Sequence, residues 1–264
     1  MPADALRAAR GFLLDLDGTV YIGERLIAGA RVFFDVLRAQ GKPWLFLTNN
    51  SSKDAAQYVA KLTRLGLPTT RDQVLTSGEA AADYLHGLRP GARVYVVGTP
   101  ALEAEFAARG FIVTDATPDY AVLGFDTTLT YAKLWRLCDL VRAGLPYLAT
   151  HPDFNCPTET GFMPDIGAMI AFVAAATGRQ PDLVIGKPNR LIADAAAARL
   201  GLPVESLCMV GDRLYTDIAL GPAAGMMAVL VLSGETKAEE VAQAAHPPTA
   251  VFADVGALAE YLRG

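Results

Sequence analysis

The chain has 264 residues, of which 52% are hydrophobic, and its formal net charge at pH 7 is -5. A chain of this length and composition can bury enough apolar surface for one large domain or two modest ones. The negative charge disfavours a general binder of nucleic acid or of anionic membranes, because both need a basic surface. We therefore expect neither nucleic acid nor a membrane among its partners.

The cysteines and the apolar runs predict the cellular compartment. Cys138, Cys156 and Cys208 are odd in number and widely spaced, which favours neither a disulfide framework nor a zinc site. We expect no signal peptide, because residues 1–11 lack an apolar segment. The longest apolar run, residues 166–176, is shorter than the roughly 20 residues of a membrane span, and it predicts a core helix. These features predict a cytoplasmic protein with reduced thiols.

Short apolar runs alternate with amphipathic patterns along the whole chain. Residues 11–17 predict a strand, and residues 29–41 predict a helix with apolar side chains on one face. Ser51 and Asp54 fit a capping box for the next helix, which Gly66 ends. The further predicted strands are 42–50, 89–98, 121–125, 145–150, 182–187, 206–212, 226–234 and 250–252. The further predicted helices are 79–88, 100–109, 131–144, 166–177, 189–200, 216–224, 236–244 and 255–262.

This alternation predicts an α/β fold. Repeated strand–helix units indicate a parallel sheet that is covered by helices on both faces. About ten such units are many for a single sheet, so two α/β domains are plausible. Ligands of open α/β sheets bind at the carboxyl ends of the strands. The polar residues that directly follow the strands are therefore the candidates for a functional site.

The first candidate segment is DLDGT at residues 15–19. Asp15 and Asp17 project from one face of an extended chain, roughly 6–7 Å apart. One carboxylate could attack an electrophile while the other handles the proton of the leaving group. Gly18 would let the backbone turn close to a ligand. Taken alone, the segment also fits an ordinary turn with two solvated carboxylates.

Two further segments offer groups that bind anions. TNNSS at residues 48–52 places hydroxyl and amide donors at the start of a predicted helix, where anions are favoured. Its alternative role is plain helix capping. Lys187, in GKPNR, could neutralise a phosphate oxygen and a nucleophilic carboxylate together. Its alternative is a solvated surface lysine.

The last candidate segment, residues 209–221, carries Asp212 and Asp217. Asp15, Asp17 and Asp212 would repel one another if they converged without a cation. Oxygen ligands of this kind suit Mg²⁺, which keeps bound waters and pairs well with phosphate. Asp217 could instead cap the helix that begins there, and both roles could hold together.

These four segments together resemble the haloacid dehalogenase-like (HAD) hydrolase superfamily. DLDGTVYIG, TNNSS, GKPN and GDRLYTDIALG are similar to its subfamily IIA, the branch of NagD-like and 4-nitrophenylphosphatase-type phosphatases. The resemblance runs over essentially the whole chain. It implies a three-layer Rossmann-like parallel-sheet core, with a large α/β cap of this subfamily's type inserted between the second and third motifs. The implied catalytic core is 1–79 and 184–264, and the implied substrate-specificity cap is 80–183.

The resemblance also implies the roles of the acidic residues. Asp15 would be the nucleophile that forms an aspartyl-phosphate, and Asp17 the general acid/base. Mg²⁺ would be held by the carboxylate of Asp15, the backbone carbonyl of Asp17 and the carboxylate of Asp212. Asp217 would be a supporting acid.

The same resemblance implies the groups that bind the substrate. Thr48, Asn49 and Asn50 would bind the phosphoryl oxygens, and Lys187 would bridge the phosphate and the nucleophile. The segment 151–167 would face the active site from the cap, and relatives often have Asn where this chain has His151. The candidate substrate contacts in this segment are His151, Asp153, Asn155 and Cys156. The alternative is a solvated proline-rich loop.

The function that follows is a Mg²⁺-dependent phosphatase for small phosphomonoesters. By resemblance the substrates include nucleoside monophosphates, sugar phosphates, phosphoglycolate, pyridoxal phosphate and 4-nitrophenyl phosphate. Some relatives dimerise through their caps, which gives a homodimer as one expectation from the resemblance.

Three alternatives remain open at this point. A receiver-like phosphoacceptor signalling domain also uses Asp, Lys and Mg²⁺, but it is shorter and has no equivalent of Asp17. A Rossmann-type dinucleotide-binding oxidoreductase would need a glycine fingerprint, which VVGTPALEAEF at 96–106 does not complete. A non-catalytic interaction protein ranks last, because all the implied catalytic residues are present.

Overall fold

The computed structural model describes residues 3–158 and 161–264, which form a mixed α/β structure. The chain divides into two compact units. The first unit comprises Met1–Thr48, Val59–Leu75 and Lys187–Gly264, and the second comprises Asn49–Tyr58 and Thr76–Gly186. The second unit is therefore inserted into the sequence of the first.

The first unit is built on a six-stranded sheet. In order across the sheet, its strands are β15 (Ala250–Phe252), β14 (Met227–Val231), β13 (Leu207–Gly211), β1 (Gly11–Leu14), β4 (Trp44–Thr48) and β5 (Val74–Thr76). Strand β1 pairs in parallel with both β13 and β4. All four of its residues are buried, as expected for an inner strand of a parallel sheet that is covered on both faces.

Helices of the first unit pack in pairs on this sheet. Helix α2 (Ala30–Ala39) packs with α10 (Val255–Arg263), and α8 (Arg190–Leu200) packs with α9 (Ala219–Ala224). The ring of Phe33 in α2 meets the ring of Phe12 in β1 edge to face, with 5.9 Å between the centroids. Burying a side chain of this size contributes about 1.5–3 kcal/mol, so such contacts stabilise β1, the strand that Asp15 directly follows. Helix α1 (Ala3–Arg7) and the hairpin of β2 (Tyr21–Ile22) and β3 (Arg25–Leu26) also belong to this unit, and helix α3 (Ala55–Arg64) ends in it.

The second unit has its own five-stranded parallel sheet. The strand order is β12 (Leu183–Val184), β9 (Tyr147–Ala149), β8 (Tyr120–Leu123), β6 (Arg93–Val97) and β7 (Ile112–Val113). Its helices are α4 (Ser77–Leu88), α5 (Pro100–Ala108), α6 (Tyr131–Arg142) and α7 (Ile166–Thr177). Phe125, Leu137, Tyr147 and Val173 belong to its buried core. An antiparallel hairpin, β10 (Asn155–Thr158) and β11 (Gly161–Pro164), precedes α7.

The predicted parallel α/β fold is confirmed, but several local predictions were wrong. The segment 151–167 contains the β10–β11 hairpin rather than only loop, and residues Glu159 and Thr160 lie outside the described part. Residues 236–244, predicted as a helix, form only a 3-10 turn at Ala238–Gln243. Short strands such as β2, β3 and β7 escape a pattern search because two residues show no periodicity.

The helix after β4 begins later than the sequence suggested. Helix α3 starts at Ala55, and its capping box is formed by Asp54 and Gln57 instead of Ser51 and Asp54. Ser51 is buried in the second unit, where its hydroxyl lies 2.8 Å from that of Thr150 and accepts a hydrogen bond from the Phe125 N–H. The Ser51 hydroxyl therefore binds residues distant in sequence instead of capping the helix that follows it.

Helix α7 was predicted to be a core helix, and this is only half correct. Ile166, Gly167 and Val173 are buried, whereas Phe172 is 42% exposed. Within the described ranges, no helix combines the length and the apolar character that crossing a membrane requires.

Candidate active site

The site lies where neighbouring strands of the first sheet end. Asp15 directly follows β1, Asp212 directly follows β13, and Thr48 is the last residue of β4. The backbone N–H of Asp15 donates to the carbonyl of Val210 across 2.9 Å, which continues the β1–β13 ladder by one residue. The carboxyl ends of three adjacent strands thus carry three of the residues singled out from the sequence.

Lys187 lies at the centre of this site and is 2% exposed. Its Nζ is 2.6 Å from Oδ1 of Asp15, 2.6 Å from Oδ1 of Asp217 and 3.1 Å from the carbonyl oxygen of Leu47. An ammonium group has three N–H donors, so these acceptors can engage all of them. Burial alone would lower the pKa of Lys187, but Asp15 and Asp217 outweigh burial and raise it, which keeps the side chain charged. The alternative of a solvated surface lysine is wrong.

Three carboxylates lie close together at this site. One oxygen from each of Asp15, Asp212 and Asp217 lies within 4.8 Å of the others. The pKa of Asp15 is raised to about 7, mainly by burial; Lys187 opposes this shift, and the neighbouring Asp217 adds to it. Burial also raises the pKa of Asp212 well above its ordinary value, with Asp15 and Asp217 adding repulsion. The cluster is therefore short of positive charge.

The two carboxylate oxygens of Asp212 differ in their hydrogen bonds, and one of them is available to a cation. Its Oδ2 accepts a hydrogen bond from the backbone N–H of Glu235 across 2.7 Å. Its Oδ1 is buried and has no hydrogen-bond partner among the described residues. A buried carboxylate oxygen without a partner is costly unless a cation binds it. An unpartnered oxygen beside two further carboxylates is the donor set that Mg²⁺ prefers, so these residues fit the ion.

Asp217 acts through Lys187 and the backbone rather than as a helix cap. It lies in a single π-helical turn, Leu214–Ile218, whereas α9 begins at Ala219 after Ile218. Its Oδ2 accepts a hydrogen bond from the Arg213 N–H across 3.1 Å, and its Oδ1 pairs with Lys187. The buried carboxylate thereby fixes the position of the lysine.

Asp17 differs from the other acids because its residue is exposed. The hydroxyl of the fully buried Tyr21 donates to its Oδ2 across 3.2 Å. The ring of Tyr21 lies under Nζ of Lys61, which is 3.7 Å from the centroid. Sequence analysis missed Tyr21. The signal that could have found it is its place four residues after Asp17, inside the motif itself.

The TNNSS segment is shared between the two units. Thr48 ends β4 in the first unit, whereas Asn49 and Asn50 belong to the second. Oδ1 of Asn50 accepts hydrogen bonds from the backbone N–H and the hydroxyl of Ser52, at 2.9 and 2.7 Å. Nδ2 of Asn49 donates to Oδ1 of Asp153 across 3.0 Å. In each of these asparagines, one atom of the side-chain amide is therefore held by a hydrogen bond within the second unit.

The candidate residues of the 151–167 segment have different environments. His151 is fully buried, with Nδ1 3.4 Å from the Asp153 N–H that donates to it and Nε2 3.5 Å from Oδ1 of Asp165. Asp153 is also buried. Asn155 is exposed and Cys156 is half-buried, both on β10. Substrate contact by any of these four remains a prediction.

The chain matches known proteins over nearly its whole length. The haloacid dehalogenase-like hydrolase family model matches residues 12–112, and a HAD-hydrolase-like model matches residues 184–258. An acid sugar phosphatase of Staphylococcus aureus (strain MRSA252) is 38% identical over 257 residues, which cover 97% of this chain and 99% of the relative.

Solved structures give the same result. The 4-nitrophenylphosphatase of Thermotoga maritima is 44% identical with a TM-score of 0.95, and the match covers 97% of this chain and 98% of that one. The glycerol phosphate phosphatase of Mycobacterium tuberculosis, solved in complex with magnesium, is 36% identical with a TM-score of 0.89, over 97% of this chain and 78% of that one. The chain belongs to the haloacid dehalogenase-like hydrolases and, within them, to the NagD-like, 4-nitrophenylphosphatase-type phosphatases.

Proposed function

We propose that this chain is a Mg²⁺-dependent phosphatase that hydrolyses small phosphomonoesters through an aspartyl-phosphate on Asp15. The observation that carries the proposal is the buried contact of Lys187 with Asp15 and Asp217, beside an unpartnered oxygen of Asp212. This arrangement supports the proposal because it holds the Asp15 carboxylate in a fixed position and clusters carboxylate oxygens that could hold a divalent cation.

The reaction proceeds in two steps on the residues of this chain. An oxygen of Asp15 attacks phosphorus, the bond to the leaving oxygen breaks, and Asp17 gives that oxygen a proton. Asp17 then takes a proton from water, which attacks the aspartyl-phosphate and releases phosphate and the free Asp15 carboxylate. Splitting hydrolysis in this way replaces one difficult step by two easier ones.

The surrounding groups prepare Asp15 for attack. Lys187 lies 2.6 Å from its Oδ1 and favours the ionised form that acts as the nucleophile. Mg²⁺ would be held by the carboxylate of Asp15, the backbone carbonyl of Asp17 and Oδ1 of Asp212, with Asp217 supporting Lys187. A bound Mg²⁺ supplies positive charge to these carboxylates and to the phosphoryl oxygens.

Substrate binding falls to the remaining residues that the sequence singled out. We propose that Thr48, Asn49 and Asn50 bind phosphoryl oxygens. We propose residues 80–183 as the specificity cap, with His151, Asp153, Asn155 and Cys156 as its candidate contacts. The acid sugar phosphatase and glycerol phosphate phosphatase relatives favour small polyhydroxylated phosphomonoesters among the predicted substrates. A homodimer and a cytoplasmic location remain predictions.

A phosphatase screen tests the proposal. The purified protein is given a panel of sugar phosphates, glycerol phosphate, nucleoside monophosphates, phosphoglycolate, pyridoxal phosphate and 4-nitrophenyl phosphate, with Mg²⁺ or with EDTA. We expect multiple turnovers with Mg²⁺ only, and none with Asp15→Asn. Asp35→Asn is the matched control, because the Asp35 side chain is 67% exposed on α2.

The outcomes separate the alternative functions. Wild-type turnover by Asp15→Asn would rule out the proposed nucleophile. A single stable phosphorylation per chain would instead indicate a receiver-like phosphoacceptor. Binding of NAD(P) in calorimetry, without phosphatase turnover, would indicate an oxidoreductase.

A further inference from the structure

We propose that the segment Ser233–Thr236 is a clamp that decides which oxygen of Asp212 faces the metal, with Gly234 and Glu235 as its positioning residues. The segment begins two residues after β14 ends at Val231 and matches none of the motifs that identify the site. The inference deepens the metal site and rests on the proposed function.

The clamp holds Asp212 at two points. The backbone N–H of Glu235 donates to Oδ2 of Asp212 across 2.7 Å. The backbone N–H of Thr236 donates to the carbonyl oxygen of the same residue across 3.2 Å. Hydrogen bonds to an ionised carboxylate are shorter and stronger than neutral ones. Both the side chain and the main chain of Asp212 are therefore fixed by consecutive N–H groups of one segment.

Gly234 makes this close approach possible. A Cβ at position 234 would lie 2.5 Å from Cγ of Asp212 and closer still to Oδ2, a separation that real side chains do not reach. The backbone at Gly234 is outside the left-handed region, so the position requires space rather than unusual dihedral angles. Any side chain there would push the carboxylate out of its present orientation.

The clamp also contacts the loop that carries Asp17. The hydroxyl of Ser233 donates to the carbonyl oxygen of Gly18 across 2.7 Å. A Cβ at Gly18 would lie 2.8 Å from Cγ of Asp212 and 3.0 Å from Cα of Gly234, so the three residues are in close contact. Because Gly18 follows Asp17, the clamp fixes the two loops that supply the proposed ligands relative to each other.

The side chain of Glu235 secures the segment from outside. Its Oε2 lies 2.9 Å from Nε of Arg213, the residue that follows Asp212. The pair is partly exposed, so it contributes less than the backbone contacts. Glu235 is therefore bound to two consecutive residues: its N–H to the side chain of Asp212, and its carboxylate to the side chain of Arg213.

The consequence is a metal preference. The N–H of Glu235 engages Oδ2, whereas Oδ1 of Asp212 has no hydrogen-bond partner among the described residues, so Oδ1 is the oxygen that this carboxylate offers most readily to a cation. Mg²⁺ demands near-ideal octahedral geometry, whereas Ca²⁺ accepts one or both oxygens of a carboxylate in variable geometry. The clamp therefore favours Mg²⁺ over Ca²⁺.

Calorimetry on the metal-free protein, without substrate, tests this inference. We expect Gly234→Ala to weaken Mg²⁺ binding by about 10–100-fold, as is typical when a group that orients a ligand is lost, and to weaken Ca²⁺ binding less. Ser233→Ala removes one hydrogen bond and should weaken Mg²⁺ binding by about fivefold. Gly87→Ala is the matched control, because a Cβ there meets nothing within 4 Å and its backbone is also outside the left-handed region.

Each outcome has a defined meaning. Mg²⁺ affinities within about twofold of wild type in both folded variants would overturn the inference. Equal losses for Mg²⁺ and Ca²⁺ would also overturn it, because that is the result of unspecific damage. If circular dichroism shows that Gly234→Ala does not fold, Ser233→Ala decides alone. A wild-type protein that binds no Mg²⁺ would contradict the proposed function instead. If the wild type binds Mg²⁺ and the variants bind it with the same affinity, only the clamp is contradicted.

Discussion

The hydroxyl of Tyr21 donates a hydrogen bond to Oδ2 of Asp17, and the N–H of Gly18 donates to the carbonyl of Tyr21 across 2.8 Å. These two hydrogen bonds close a tight loop over residues 17–21, which lies within the first motif. Asp17 itself is exposed, while Tyr21 is fully buried. The buried Tyr21 thus orients an exposed carboxylate, which suits the general acid/base role proposed for Asp17.

Removing that hydroxyl should slow the chemistry without loosening substrate binding. Tyr21→Phe keeps the ring under Lys61 and deletes only the donor. We expect kcat to fall by about 2–13-fold, the equivalent of one hydrogen bond, with KM unchanged in steady-state kinetics. Tyr131→Phe is the control, because Tyr131 is 75% exposed. A raised KM at unchanged kcat would contradict the assigned role of Tyr21.

Replacing Lys187 should reduce both stability and activity. Lys187→Met leaves the carboxylates of Asp15 and Asp217 buried without their cation. We expect the free energy of unfolding in EDTA to fall by about 3–5 kcal/mol, the usual result of breaking a buried pair, and turnover to be lost. Urea denaturation measures the first effect. The exposed Lys53→Met should change stability by no more than about 0.5 kcal/mol, and a similar result for Lys187→Met would contradict the buried pair.

Magnesium should stabilise the folded protein through Asp212. At about one hundred times its Kd, a ligand that binds only the folded state adds about 2.7 kcal/mol. We expect Mg²⁺ to raise the Tm of the wild type in calorimetry and to leave Asp212→Asn unchanged. The metal-free variant should be at least as stable as the wild type, because it lacks one buried carboxylate. A full Mg²⁺ effect on Asp212→Asn would remove Asp212 from the ligand set.

The metal-free protein should also reveal the raised pKa of Asp15. Burial raises this pKa from 3.8 to about 7, so the folded state binds the proton more tightly than the unfolded chain does. The contribution of Asp15 to stability is therefore fully present below pH 3.8 and is lost as the pH rises through about 7. Asp15→Asn does not titrate.

The difference in unfolding free energy between the wild type and Asp15→Asn isolates the contribution of the Asp15 titration. In EDTA, the stability of Asp15→Asn relative to the wild type should increase from pH 3.8 to about 7 and then level off. Urea denaturation at a series of pH values measures it. A difference that is constant across this range would show that Asp15 keeps an ordinary pKa in the folded protein.

The sequence predicted the parts of the site that follow strands. Asp15 and Asp212 could be found because each comes directly after an apolar run, and strand ends meet at one edge of a parallel sheet. Lys187 was a candidate from its own segment, but the segment alone favoured a surface lysine, and only the family resemblance supported its place in the site. The parallel α/β fold followed from the alternation of strands and helices.

Other features depend on contacts that no local pattern encodes. Tyr21 and the segment Ser233–Thr236 act on motif residues through hydrogen bonds that form only in the folded chain. His151 lies in a polar, proline-rich stretch that suggests solvent, yet it is fully buried between Asp153 and Asp165. For each of these residues, contacts in the folded chain determine the burial and the hydrogen bonds of the side chain or backbone.

The contacts of Lys187 with Asp15, Asp217 and Leu47 have a consequence for the proposed recognition of anions. Its N–H donors are directed at Asp15, Asp217 and the main-chain carbonyl of Leu47, and the last of these bonds is the longest at 3.1 Å. A phosphoryl oxygen that reaches this ammonium must displace one of these acceptors, and the uncharged carbonyl is the weakest of them. If Lys187 binds phosphate as proposed, phosphate and its analogues would compete with a main-chain carbonyl of the same chain, and their affinity would report how readily the lysine exchanges Leu47 for an anion.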